Sequence, residues 1–312
     1  MKKIKKFYFR IVAILILVTF ATNTSMVKNT ILPFINDEKE TINCYGKPEN
    51  IPPGLNMHFI DVGQGDATLI TCNGEAMLID AGDNSCGTLV QNYIKKQGVK
   101  ELKYLIATHP DADHIGGVDV IINKFDIDTF IMPSVEKDTK TYNDVIEAAR
   151  YKNLKILPPT IGTQFILGGA TFEVLGPNES KKYDNVNNYS VVILMEYQDI
   201  KILFSGDAEE PEERYIISEN PNISADIIKI GHHGSRTSTS QEYLNIVNPK
   251  FAVISVGENN DYGHPHADSL NRLRQANVEV RRTDEQGSII CTISKNSIQW
   301  NCPPSLSWQA GE

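Results

Sequence analysis

Residues 108–117 read Thr-His-Pro-Asp-Ala-Asp-His-Ile-Gly-Gly, and they place His109, Asp111, Asp113 and His114 within six positions. Imidazole and carboxylate groups at this density can bind two divalent metals, and they suit zinc, manganese or iron better than calcium. Residues 103–107 predict a short buried strand, and Pro110 opposes a helix directly after it, so the cluster should lie on a loop at a strand end. The alternative is a polar loop that caps the next helix, but a cap needs only one such side chain. The cluster therefore predicts metal-dependent hydrolysis.

The other candidate residues also follow predicted strands. They are Asp80 at the end of strand 75–80, Asp207 after strand 200–205, His232 and His233 after strand 225–230, and His264 and His266 after strand 250–256. Strand ends along one rim of a sheet are where α/β enzymes assemble their sites. Each motif alone also occurs in ordinary turns, so the prediction depends on their joint presence. His58, the one histidine within a predicted strand, is interpreted as a packing or surface residue.

Hairpins alternate with strand–helix units along the chain. Asn73-Gly74 and Gln198-Asp199 are the predicted turns of two hairpins. Further strands are predicted at 57–60, 128–132, 172–175, 278–282, 288–294 and 297–301. Helices are predicted at 88–97, 117–124, 141–152, 208–218, 239–247 and 267–276. This mixture predicts an α/β fold with two mixed sheets covered by helices.

The N-terminal segment differs in composition from the rest of the chain. Residues 1–22 join basic residues to an apolar run, which predicts either a secretory signal peptide or a membrane anchor. Both alternatives place the protein outside the cytoplasm, either extracellular or attached to the outer face of the membrane. Residues 23–54 are polar, end in Pro-Pro-Gly and predict a linker. Residues 55–312 then form the predicted hydrolase domain.

Charge and cysteine content limit the classes of function. The net charge is −9, and it becomes −14 without the five basic residues that precede position 11. This argues against a broad basic surface for nucleic acid, but it permits a phosphate-bearing substrate because metals supply positive charge locally. Five cysteines are present, and Cys291 and Cys302, which flank the last predicted hairpin, could form a disulfide.

As a set, the motifs resemble the metallo-β-lactamase superfamily, and more narrowly the extracellular domain of ComEC-type competence proteins. The matching segments are 59–66 (Phe-Ile-Asp-Val-Gly-Gln-Gly-Asp), 78–82, 108–117, 187–192, 204–207, 232–235 and 262–266. The resemblance covers roughly residues 56–293. It implies a four-layer αββα sandwich that carries a dinuclear metal site.

The resemblance also implies the ligands of that site. His109 and Asp111 would hold one metal, Asp113, His114 and either His232 or His233 the other, Asp207 would bridge the two, and Asp80 would orient the ligands. The superfamily commonly has histidine at the position of Asp111 and a further histidine where this chain has Asn187 and Asn188. More oxygen and less imidazole should weaken the preference for Zn²⁺ and admit Mn²⁺.

The same resemblance predicts how a substrate would react. A water shared by two cations would attack the phosphorus. Asp113 and Asp80 are predicted to be catalytic residues together with the metals. His264 is expected to contact the substrate phosphate or to protonate the leaving oxygen, because histidine titrates near neutrality. Ser235 and Asn188 are further candidates for contact with the phosphate. A helix N-cap is the alternative role for the region of Ser235.

The sequence thus predicts an exported metal-dependent hydrolase, foremost a phosphodiesterase or nuclease whose substrate could be DNA. One alternative is a phosphoester hydrolase of cell-envelope polymers, similar to phosphorylcholine esterases, which the acidic charge favours. Another is a catalytically silent binding module, against which the full ligand set argues. Hydrolysis of β-lactams is disfavoured, because the ligand pattern departs from that of those enzymes. The membrane is a predicted partner only if the N-terminal segment stays uncleaved, and no protein partner is inferred.

Overall fold

The structure is a computed structural model that describes residues 54–311. The predicted signal or anchor at 1–22 and the linker up to residue 53 lie outside these residues, so both remain predictions.

Two mixed sheets carry the strands of the described chain. In chain order the strands are β1 (Leu55–Phe59), β2 (Thr68–Cys72), β3 (Glu75–Ile79), β4 (Glu101–Ile106), β5 (Asp126–Ile131), β6 (Ile156–Leu157), β7 (Gln164–Leu167), β8 (Ala170–Gly176), β9 (Val192–Tyr197), β10 (Ile200–Phe204), β11 (Ile227–Lys229), β12 (Phe251–Ile254), β13 (Glu279–Arg282), β14 (Ile289–Ser294) and β15 (Ser297–Trp300). The first sheet has the order β15-β14-β1-β2-β3-β4-β5-β6, and the second has the order β13-β12-β11-β10-β9-β8-β7. Strands β3 to β6 are parallel, as are β10 to β13, and the remaining pairs are antiparallel.

Helices follow the strands, and all of them except the last connect two parallel strands. They are α1 (Gly87–Lys96), α2 (Ala112–Ile115), α3 (Val118–Lys124), α4 (Lys140–Tyr151), α5 (Glu210–Glu219), α6 (Gln241–Val247), α7 (Ala267–Gln275) and α8 (Thr283–Gln286). Single 3₁₀ turns cover Val186–Tyr189 and Gly231–Gly234. The predicted long helices all form, whereas the short helices α2 and α8 and the strands β6 and β7 were not predicted.

Three separate hydrophobic cores define the layers. One packs α1, α3 and α4 against the first sheet, with Val90, Ile121 and Val145 among its buried residues. A second fills the space between the two sheets, and a third packs α5, α6 and α7 on the second sheet. Helices therefore cover the outer face of each sheet, which confirms the predicted αββα sandwich.

The hairpin prediction is confirmed, and the possible disulfide between Cys291 and Cys302 is not formed. Asn73 and Gly74 both have positive φ, as a two-residue turn of this twist requires. Cys291 and Cys302 are free thiols in the structure. Cys291 pairs across the hairpin with Trp300 and is buried between the sheets. Burial raises the pKa of the Cys291 thiol to about 12, so it behaves as an inert packing residue.

Parallel strands bring the candidate residues to one edge of the sandwich. Asp80 follows β3, and the segment 108–114 follows β4 in the first sheet. Asp207 follows β10, and His232 and His233 follow β11 in the second sheet. Because the carboxyl ends of parallel strands share one edge, residues far apart in sequence meet there.

Candidate metal centre

Close backbone packing shapes the loop that carries the 109–114 cluster. The amide of Asp66 donates to the carbonyl of Asp113 at 3.1 Å, and that of Ala81 donates to the carbonyl of His114 at 2.8 Å. Gly65 has φ +136°, and a Cβ at this position would lie 2.3 Å from the Asp113 carbonyl oxygen. Only glycine permits both this conformation and this approach. The Gly-Gln-Gly-Asp segment therefore fixes the backbone from which the ligands project.

Three buried imidazoles are each anchored through Nδ1. The Nδ1 of His114 lies 2.8 Å from an oxygen of Asp80, and that of His233 lies 2.9 Å from the Ser255 carbonyl. Since both partners are acceptors, Nδ1 donates a proton to them, and in the neutral ring the lone pair of Nε2 is available to a metal. The Nδ1 of His109 lies 3.1 Å from the hydroxyl of Thr108. Anchoring of this kind is typical of histidines that bind metal through Nε2.

The free faces of these residues converge on Asp207. The Nε2 of His114 lies 3.2 Å from both the Nε2 of His233 and Oδ1 of Asp207. Oδ2 of Asp113 lies 3.2 Å from the Nε2 of His233 and 4.0 Å from that of His114. Two ligands of a tetrahedral zinc ion, each at ~2.1 Å, are separated by roughly 3.4 Å. The group formed by Asp113, His114, Asp207 and His233 therefore fits one divalent metal.

A second, wider group shares the same bridging carboxylate. The Nε2 of His109 lies 4.0 Å from Oδ2 of Asp207 and 4.0 Å from Oδ2 of Asp111. This nitrogen is buried and has no hydrogen-bond partner among the described residues. Unsatisfied buried ligand atoms are costly unless a metal binds them. The other oxygen of Asp111 accepts from the Lys137 ammonium at 2.7 Å.

Asp66 belongs to the same cluster by distance but not by orientation. A ligand atom of Asp66 lies within 4.8 Å of those of His114, Asp207 and His233. Its carboxylate, however, bonds the Lys229 ammonium at 2.7 Å and faces Nδ1 of His114, which Asp80 already holds. We therefore assign the metal-facing position to Asp113. The Asp66–Lys229 pair was not predicted, although a lysine within the apolar strand β11 was a signal for it.

The pKa shifts in the cluster show that its carboxylates stabilise a positive charge placed between them. Burial alone would lower the pKa of His114, but Asp207, Asp80 and Asp113 raise it well above its usual value. Burial alone would raise the pKa of Asp207, but His114 and His233 lower it well below its usual range. The pKa of Asp113 is also lowered, against burial, by the same two imidazoles. Protons on imidazole thus occupy the position where a divalent cation would be bound.

His232 and the candidate phosphate contacts lie beside the cluster. The Nδ1 of His232 is 3.3 Å from Oε1 of Glu209, and its Nε2 is 3.8 Å from Asp207. Of the two adjacent histidines, His233 is therefore the one that meets Asp113 and His114. The prediction that Asn188 contacts a phosphate gains no support, because Asn188 is buried. Its side-chain nitrogen donates to the Glu209 carboxylate, and its side-chain oxygen accepts from the Glu209 amide. Ser235 is buried too, and its hydroxyl lies 2.9 Å from that of Thr237.

His264 lies next to the cluster, but its electrostatic state differs from the expected one. Its ring centroid is 5.2 Å from that of His232 and 6.1 Å from that of His233. Burial, reinforced by His233 and His232, lowers the pKa of His264 to about 3. The expectation that it titrates near neutrality is therefore wrong for this site, since a buried imidazole beside other imidazoles resists protonation. His58 lies elsewhere, with its Nδ1 3.1 Å from the hydroxyl of Tyr93.

Fold and site together define the class of the protein. Residues 60–258 match the family model of the metallo-β-lactamase superfamily, and the chain belongs to this superfamily. More narrowly, it contains a metallo-β-lactamase domain of the ComEC type, as its relatives show.

Three relatives carry the narrower assignment. ComE operon protein 3 of Bacillus subtilis is 33% identical, over 74% of this chain and 32% of that protein. Recombination protein 2 of Haemophilus influenzae is 32% identical, over 76% of this chain and 29% of that protein. Competence protein ComA of Neisseria gonorrhoeae is 27% identical, over 81% of this chain and 34% of that protein. The chain thus spans about a third of the length of these curated relatives.

A solved structure supports the fold alone. CmlA, a diiron β-hydroxylase from Streptomyces venezuelae, superimposes with a TM-score of 0.51 at 11% identity, over 78% of this chain and 55% of that chain.

Proposed function

We propose that this chain is an exported phosphodiesterase that depends on two divalent metals, Zn²⁺ or Mn²⁺, and that it cleaves nucleic acid. The superfamily assignment and the Asp/His cluster support a metal-dependent hydrolase. The observation that carries the proposal is the convergence on Asp207 of three imidazoles, each anchored through Nδ1.

The residues divide the chemical work among them. Divalent cations bound at the cluster would lower the pKa of a water toward neutrality and neutralise charge on a reacting phosphate. Asp80 holds His114 in the tautomer that presents Nε2, and the Ser255 carbonyl does the same for His233. Asp207 faces both groups of ligands. Neutral His264 is placed to donate a hydrogen bond to a phosphate oxygen.

The choice of polymer rests on the relatives. One relative is named as a competence protein and another as a recombination protein, which supports nucleic acid as the substrate. The net charge of −9 instead favours a cell-envelope phosphoester, because a nucleic-acid enzyme commonly uses a basic surface. The second candidate is therefore a phosphoester hydrolase similar to phosphorylcholine esterases.

Substrate assays separate these proposals. We expect the purified full chain to hydrolyse bis-p-nitrophenyl phosphate and single-stranded DNA, to lose both activities with a chelator, and to regain them with Zn²⁺ or Mn²⁺. Hydrolysis of p-nitrophenyl phosphorylcholine without cleavage of DNA would establish the second candidate. A metal-loaded protein inert toward all three substrates would make it a binding module.

Export is proposed from residues 1–22, which lie outside the described range. Within residues 54–311, no helix is long and apolar enough to span a membrane. We expect cell fractionation to recover the protein in the medium if the segment is a cleaved signal, and in the membrane if it is an anchor. Recovery of the full chain in the cytoplasm would refute export.

A further inference from the structure

His264 lines a cavity and also lies beside the metal cluster. The cavity has a volume of about 540 Å³, and residues of the loop 257–260 line it together with His264. The ring of His264 also contacts those of His232 and His233. The volume is in the range of small-molecule sites. His264 therefore borders both the cavity and the candidate metal cluster.

The charges that line this cavity disfavour a phosphate within it. Arg282 is already neutralised, because its guanidinium lies 2.6 Å from Asp284 and 3.2 Å from Glu285. Glu258 adds a further carboxylate, and the amide of Asn259 adds neutral hydrogen-bonding groups. An anion would be repelled here, whereas a neutral ring with donors and acceptors would not.

Tyr262 lies in the loop between Asn260 and His264, both of which line the cavity. Tyr262 is 64% exposed, and its ring stacks on that of His264 at a centroid distance of 5.7 Å and an interplanar angle of 19°. The buried amide of Asn260 holds this loop in place. Its nitrogen donates to the carbonyls of Gly257 and His264, and its oxygen accepts from the amides of Tyr262 and His264. The aromatic ring is thus held in solvent by an ordered backbone.

We propose that this cavity, together with the ring of Tyr262 that stacks on His264, binds one nucleobase of a single-stranded nucleic acid. The inference rests on the proposed phosphodiesterase and narrows its substrate, because only an unpaired base is free to leave its neighbours and stack on a side chain. Aromatic stacking tolerates any base and does not depend on a basic surface. It therefore offers an acidic protein a route to nucleic acid that phosphate attraction does not provide.

Binding of an oligonucleotide that resists cleavage tests the base subsite separately from catalysis. The probe is a labelled single-stranded oligothymidylate with phosphorothioate linkages, and the readout is the Kd of the full chain by fluorescence anisotropy. We expect Tyr262→Ala to raise Kd about 5- to 150-fold and Tyr262→Phe to bind nearly as wild type, because the ring and not the hydroxyl stacks. The matched control is Tyr151→Ala, which removes a tyrosine that is 81% exposed at the end of α4 and should leave Kd unchanged.

A second probe identifies the base as the stacking partner. An abasic oligomer of the same length should bind wild type and Tyr262→Ala with equal Kd, since it has no ring to stack. Equal binding of oligothymidylate by wild type and Tyr262→Ala would overturn the inference, as would an equal loss in Tyr262→Phe. A wild type that hydrolyses bis-p-nitrophenyl phosphate but binds no oligothymidylate would overturn it while keeping the phosphodiesterase. Tyr262-dependent binding without any hydrolysis would support the base subsite and reject the proposed reaction.

Discussion

Asp207→Asn is expected to lower bound metal sharply and to abolish phosphodiester hydrolysis while the fold is kept. The two oxygens of Asp207 face His114 and His109, so this carboxylate is the one contact common to both ligand groups. A neutral amide bridges two cations poorly. Mutation of a residue that only orients a ligand typically lowers metal affinity about 10–100-fold, and the fall in Asp207→Asn should be larger.

Metal content by elemental analysis and far-ultraviolet circular dichroism together measure this effect. The matched control is Asp226→Asn, which removes a carboxylate at the opposite end of β11 that contacts Lys250 and the amide of Lys201. That variant should keep both metal and activity. If D207N instead binds metal with wild-type stoichiometry and affinity, Asp207 does not bridge the ions.

Local patterns in the sequence predicted much of this fold and the core of its site. Asn73-Gly74 predicted a hairpin because both residues adopt positive φ readily, and the structure has both there. The 109–114 cluster was visible because four ligand-type side chains are close in sequence. That they would meet Asp207 and one of His232 and His233 was implied by the resemblance, and it agrees with the expectation that strand ends share one edge of a sheet.

Long-range contacts explain what could not be predicted. Asp66 and Lys229 are 163 positions apart, and the anchor of His233 is a backbone carbonyl, which has no signature in sequence. The choice of His233 over His232 depends on two successive residues in the left-handed region, which turn the side chains in different directions. The low pKa of His264 arises from burial and from neighbouring imidazoles supplied by another loop.

His264→Ala is expected to keep the bound metals and to lower kcat by about 10²–10³-fold, the loss typical of one donor to a charged transition state. Oxygens of the reacting phosphate gain charge, and a neutral imidazole beside the metals can stabilise them by a hydrogen bond. Because the lowered pKa of about 3 leaves His264 neutral, the ring serves as a hydrogen-bond donor rather than as a source of protons. The fall in kcat caused by His264→Ala should therefore be equal for p-nitrophenyl and nucleotide diesters.

Three measurements distinguish this role from that of a general acid. His264→Gln keeps a neutral donor, so it should recover part of the activity that His264→Ala loses, whereas a proton donor would not be replaced by an amide. The wild-type pH profile should show no limb between about pH 5 and 9 that disappears in His264→Ala, since a group with a pKa of about 3 is already neutral throughout that interval. A loss much greater for the nucleotide diester than for the p-nitrophenyl ester would restore the general acid, because only the poorer leaving group needs a proton. A loss of bound metal in His264→Ala would instead make His264 a ligand.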